Sequence, residues 1–146
     1  MKNIIFVCTG NTCRSPIAEA LLKHKLKIAN IKNVKVCSAG IMVEPNTSTN
    51  EKSVWALAEL GVKTRKKQAK RLTQKMVDKN TIIITMTNNH LEYVKNVATS
   101  YCIADFGSVG PVGDPYGQDK QVYLKTAKII EILTTNIANK IIKGEL

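Results

Sequence analysis

Aromatic residues are scarce in this chain: one Trp, two Phe and four Tyr make up 5% of its 146 residues. That argues against a reader of single-stranded nucleic acid, which stacks bases on aromatic platforms. Arginine is scarcer still, with only Arg14, Arg65 and Arg71 among 22 basic residues. The net charge of +11 and the isoelectric point near 9.6 therefore come mainly from lysines. Such a balance attracts anions, but it fits a solvated lysine surface better than an arginine-rich nucleic-acid face. Nucleic acid is disfavoured as a partner.

Metal ligands are equally thin. There are two histidines, His24 and His90, and the four cysteines stand at 8, 13, 37 and 102 with no Cys-x-x-Cys pair. This is poor material for zinc, so no metal or other cofactor is expected. No stretch approaches the roughly 20 apolar residues of a membrane span. The apolar run that ends at Cys8 is too short for a signal peptide. The expectation is a cytoplasmic protein without a membrane partner, whose thiols stay reduced.

What is present describes one α/β domain over residues 1–146, with 44% hydrophobic residues and no internal repeat. Asn3 to Val7 is continuously apolar after its first residue, the pattern of a strand buried on both faces. It runs into a glycine-containing loop and then Ser15-Pro16, an N-cap residue followed by a residue suited to the first helical turn. Ile17, Ala18, Leu21, Leu22 and Leu26 continue at helical spacing. A second strand is expected at Val34 to Ser38, stopped by Gly40. A helix should span Thr49 to Leu60 and end at Gly61. Strands are expected at Thr81 to Met86 and Tyr101 to Ala104. After a loop from Gly107 to Gly117, a last helix shows one face through Val122, Thr126, Ile129, Ile130, Leu133, Ile137 and Ile141. Alternation of this kind predicts a three-layer αβα domain: a four-stranded parallel sheet with helices on both faces.

In such sheets ligands bind at the carboxyl ends of the strands. Cys8 ends the first strand, and Arg14 follows six residues later, just before a helix. A loop there can turn its N–H groups inward, where the helix N-terminus adds positive potential. Arg14 supplies a planar fork for two phosphate oxygens. The same field favours the thiolate at Cys8, which is the nucleophilic form. One short segment thus offers a nucleophile and an oxyanion clamp. Cys37 and Cys102 fall in expected strands and read as core filler. His24 falls on a helix surface, and His90 has no evident partner.

The run Phe6-Val7-Cys8-Thr9-Gly10-Asn11-Thr12-Cys13-Arg14-Ser15-Pro16-Ile17-Ala18-Glu19-Ala20 resembles the signature of the low-molecular-weight protein tyrosine phosphatase family. Asp114-Pro115-Tyr116-Gly117 resembles its second motif, and Ser38-Ala39-Gly40 and Thr85-Met86-Thr87 match segments between them. The likeness covers essentially the whole chain. It implies a phosphate-binding loop of Thr9, Gly10, Asn11, Thr12, Cys13 and Ser15 around a catalytic trio of Cys8, Arg14 and Asp114. Cys8 would form a phosphocysteine, Arg14 would hold the phosphoryl group, and Ser15 would hydrogen-bond the thiolate. Asn11 would keep the strained loop shape. Asp114 would act as acid and then as base. Tyr116 would stand at the substrate rim, and Cys13 could protect Cys8 through a reversible disulfide. The implied partner is a phosphorylated protein.

Thr12 bears on the substrate. Tyrosine-directed members carry an aliphatic residue there, whereas the bacterial protein-arginine phosphatase branch carries threonine. Tyr116 stands where that branch usually has phenylalanine. The family commonly has a histidine in the segment matching Arg65 to Leu72, where this chain offers Lys67 and Gln68. An arsenate reductase of related fold is one alternative, but it needs a closely spaced relay pair of cysteines that Cys37 and Cys102 do not form. A non-catalytic anion- or nucleic-acid-binding module is another. It would use the basic strip Arg65 to Arg71, for which a solvated loop is the simpler reading. The sequence leaves the oligomeric state open.

Overall fold

A computed structural model describes all 146 residues. Its order is β1 (Lys2–Cys8), α1 (Arg14–Ile28), β2 (Val34–Gly40), α2 (Glu51–Glu59), β3 (Thr81–Thr85), α3 (Asn88–Val94), β4 (Thr99–Cys102) and α4 (Lys120–Ile142). Short 3₁₀ turns lie at Gln74–Met76 and Ile103–Phe106. The sheet is wholly parallel, in the order β2-β1-β3-β4, as the alternating pattern anticipated.

β1 is central because both of its faces are apolar. Ile4, Phe6 and Cys8 point into a large cluster with residues of α1, α2 and α4. Ile5 and Val7 point the other way, onto Ala39, Ile83 and Val94. α1, α2 and α4 therefore share one layer, and α3 supports the opposite face with Leu72, Met76 and Val77. The crossover from β1 reaches β2 on one side, while β3 lies on the other. That topological switch opens a crevice beyond the carboxyl ends of β1 and β3.

Several boundaries differ from the sequence expectation, each for a local reason. α1 begins at Arg14, so Ser15 lies inside the helix and Cys13 takes the cap position without a side-chain cap bond. Ser15 cannot cap because its hydroxyl is engaged by Cys8 and Asn11. α2 starts after Asn50, whose side chain accepts from Lys52 N at 2.8 Å, while Thr49 pairs with Lys67 instead. The last strand is displaced to Thr99–Cys102, and Asp105 Oδ2, accepting from Cys102 N, turns the chain into the 3₁₀ segment. α3 was not expected at all: it opens on Asn88, Asn89 and His90, and buries only His90 and Val94.

Gly40 is the last residue of β2 and not merely its stop. A Cβ there would lie 2.6 Å from Thr9 O, 2.7 Å from Val43 Cγ2 and 3.0 Å from Asn11 N. Two of these are backbone atoms of the loop after β1, so they cannot swing away. Gly40→Ala should lower unfolding free energy by about 1–3 kcal/mol in urea titrations and displace this loop; a variant as stable as the parent would contradict so tight an approach.

Candidate active site

The loop from Thr9 to Cys13 joins β1 to α1 at the crevice. Three of the carbonyls around it point outward: Cys8 O accepts from Ile41 N, Thr9 O from Met42 N and Thr12 O from Asn50 N. None of the N–H groups of residues 9–13 donates to a protein acceptor. With the first turn of α1 beside them, they form a nest of unused donors of the kind that cradles anions.

Cys8 and Arg14 are both buried. Cys8 Sγ lies 2.9 Å from Ser15 Oγ, and Asn11 Nδ2 donates to the same Ser15 oxygen at 2.9 Å. With that oxygen already accepting, the single hydroxyl hydrogen is free to point at sulfur. Arg14 Nη1 donates to Val112 O at 3.1 Å, and Nη2 lies 3.7 Å from Asp114 Oδ2. Its Nε is buried without a protein partner. Asp114 is 53% exposed and accepts from Tyr116 N at 3.1 Å, so it stands on the solvent side of Arg14. The resulting cavity, about 280 Å³, is lined by Cys8, Thr9, Gly10, Thr12, Cys13, Arg14, Met42, Glu44, Thr47, Asp114 and Tyr116. Asn11 and Ser15 stand behind its wall.

Asn11 sits in the left-handed region at φ 58°. Its Nδ2 donates to Ser15 Oγ and, at 3.0 Å, to Ser38 Oγ, while its Oδ1 accepts from Lys70 N at 2.9 Å. Ser38 Oγ in turn donates to Glu19 Oε1 at 2.7 Å. Glu19 is only 6% exposed, yet Lys23 and Lys67 both bind its other oxygen. Burial alone would raise its pKa; hydrogen bonds from Lys23, Lys67 and Ser38 outweigh this and hold it below the usual carboxylate range. Lys67, from the segment in which the family commonly has a histidine, thus supports Glu19. The basic strip is more than a solvated loop, because its backbone is fastened to Gly40, Thr49 and Asn11.

Three site residues escaped the sequence reading. His90 is buried, and its Nε2 lies 2.9 Å from Thr9 Oγ1. Burial, reinforced by the Arg14 charge and opposed by Asp114, pushes its pKa below the ordinary imidazole value. Tyr123, fully buried on α4, places its hydroxyl 3.3 Å from Cys13 Sγ. Glu44 enters the cavity wall from the loop after β2. The signal for His90 was its place three residues after Thr87 of Thr85-Met86-Thr87; nothing local marked the other two. Cys37 is half-buried against an apolar cluster, Cys102 is buried, and His24 is half-buried on α1.

A family model described as low molecular weight phosphotyrosine protein phosphatase matches residues 3–145. The chain belongs to that family. It is therefore a cysteine-based protein phosphatase, as its motifs suggested. It is 34% identical to the protein-arginine-phosphatase of Bacillus subtilis (strain 168) over 97% of each chain. A mutant of the YwlE arginine phosphatase with a phosphorylated active-site serine superposes with a TM-score of 0.84, at 31% identity over 97% of this chain and 96% of that one. The low molecular weight protein tyrosine phosphatase of T. tengcongensis gives 0.86, at 28% identity over 96% and 99%.

Glu19 has a testable pH signature. Its folded pKa is lowered, so the stability it contributes is complete above the unfolded value of roughly 4.3 and is lost as pH falls through the folded value. Glu19→Gln should flatten the acid limb of stability against pH below about 4.3. Lys67→Met should weaken the same limb, because it removes one of the two cations. Unchanged acid limbs in both variants would show that the pairing contributes nothing.

Proposed function

We propose that this chain removes phosphoryl groups from protein side chains by two displacements at Cys8, with phosphoarginine as the substrate class. The observation that carries the reading is the convergence in one cavity of Cys8 beneath the Ser15 hydroxyl, Arg14 and Asp114. Cys8 Sγ attacks phosphorus, and the bond to the leaving atom breaks as Asp114 gives that atom a proton. The product is an S-phosphocysteine. Water then attacks phosphorus and passes a proton to the Asp114 carboxylate; the P–S bond breaks, phosphate leaves and the Cys8 thiolate returns. Arg14 and the unused loop N–H groups of Thr9, Gly10, Asn11, Thr12 and Cys13 take up charge on the phosphoryl oxygens in both steps. Neither step calls for a metal. The phosphorylated serine in the mutant relative is the counterpart of such a phosphoenzyme.

For the substrate, similarity to a protein-arginine-phosphatase supports phosphoarginine, as does Thr12. A short polar residue leaves room for a planar guanidinium. Tyr116, 71% exposed at the cavity mouth, favours phosphotyrosine as a second reading, since its ring can pack on a phenol. The whole of 1–146 serves as the phosphatase domain. A reducing cytoplasm suits its thiol nucleophile.

Turnover of a generic aryl phosphate should persist in excess chelator. Cys8→Ser and Arg14→Ala should each cut kcat by about 1,000-fold or more. Asp114→Asn should cost about 100- to 10,000-fold with a poor leaving group and much less with a good one. Chelator-sensitive turnover that survives Cys8→Ser would overturn the mechanism.

A further inference from the structure

The base of the cavity is cationic, through Arg14, but its mouth is not. Glu44 and Asp114 are the charged groups around that mouth, and no lysine lines it, in a chain with 22 basic and 11 acidic residues. Glu44 has no ion-pair partner, whereas Asp114 faces Arg14.

Its position is fixed by the backbone. Ile41 N and Met42 N donate to Cys8 O and Thr9 O at 3.0 and 2.9 Å, which clips the start of this segment to the loop around the nucleophile. The turn beyond is closed by Thr47 Oγ1 donating to Glu44 O at 2.8 Å, with Asn46 in the left-handed region at φ 60°. The Glu44 carboxylate therefore rides on a short, tied segment at the rim and not on a free loop.

Phosphoarginine and phosphotyrosine present similar dianions to the base of the cavity. They differ at the leaving group: a guanidinium keeps its positive charge, whereas a phenol is neutral. We propose that Glu44 is a specificity-determining residue that selects the cationic leaving group by facing it across the mouth from Asp114. The proposal rests on the phosphoarginine reading above. It assigns the discrimination to charge at the rim, in addition to any room left by Thr12. Glu44 takes no part in the displacement itself, so its effect belongs in binding.

The test compares two peptides of identical neutral flanks, one carrying phosphoarginine and one phosphotyrosine, on wild type, Glu44→Gln and Glu44→Lys. Glu44→Gln should raise KM for the phosphoarginine peptide by about three- to fivefold at low salt, with kcat little changed, and leave the phosphotyrosine peptide within about twofold. Glu44→Lys should widen the gap, and 0.5 M salt should shrink it. Equal changes on both peptides, or none, would overturn the role of Glu44 while leaving the phosphoarginine reading intact. A wild type that cleaves only the phosphotyrosine peptide would overturn both. Glu44 is exposed, so matched thermal unfolding of the variants confirms that a change in KM is not a folding defect.

Discussion

Asn11 occupies a backbone region that side chains with a Cβ rarely enter, and its own amide is what keeps it there. Two N–H bonds and one carbonyl bond reach α1, β2 and the strip at Lys70, which come from three separate parts of the chain. Together with Ile41, Met42 and Asn50 N, which donate to the outward carbonyls, they hold the loop in the shape that leaves its own N–H groups unused. The bare backbone of Gly40 makes the same demand from the other side, since only a missing Cβ lets β2 approach Thr9 so closely. Shape at this site is therefore a tertiary property, enforced by contacts across the sheet and not by the loop's own preferences.

That shape has an electrostatic consequence. A cationic base built from Arg14, α1 and the loop is separated from the mouth by only the depth of the cavity. Asp114 can thus sit 3.7 Å from Arg14 and still be 53% exposed. The same geometry lets one carboxylate serve the leaving group while the guanidinium serves the phosphoryl oxygens. Behind the loop, Glu19 carries out the opposite task. It brings a buried negative charge that is neutralised by two lysines and spends its remaining oxygen on Ser38. A buried carboxylate with fewer partners would be costly, so Lys67 is tied to the same network.

Much of this was legible in the sequence because its causes are local. The continuous apolar run of Ile4 to Val7 and the spacing of Ile17, Leu21 and Leu22 dictate a central strand and its helix whatever lies elsewhere. The motifs gave Cys8, Arg14 and Asp114, and all three meet in one cavity. What escaped depends on distance along the chain. Ser15 looked like a cap because capping is judged from neighbours, whereas its hydroxyl is claimed by Cys8 at the end of the preceding strand. α3 has too few apolar positions to announce a helix, and it exists because Thr87 caps it and the sheet covers Val94. His90, Tyr123 and Glu44 are 82, 115 and 36 residues from Cys8, counted from their positions, and no periodicity links them to it.

The two cysteines of the loop show why position near a helix N-terminus is not enough to make a nucleophile. Cys13 immediately precedes α1, and Cys8 reaches its first turn through Ser15. Yet burial, with smaller contributions from Asp114 and Cys8, pushes its pKa up, against the hydrogen bonds of Tyr123 and Thr12. The Tyr123 hydroxyl keeps its proton, because its own pKa is pushed up by burial and by the same sulfur, so it remains able to donate to Cys13. Burial nevertheless holds Cys13 as a thiol. Cys8 has a different partner: Ser15 already accepts from Asn11, so its hydrogen is available to the Cys8 sulfur. For Cys13 the hydrogen bonds from Tyr123 and Thr12 do not offset burial, whereas the hydrogen that Ser15 turns toward Cys8 is directed there by the amide of Asn11.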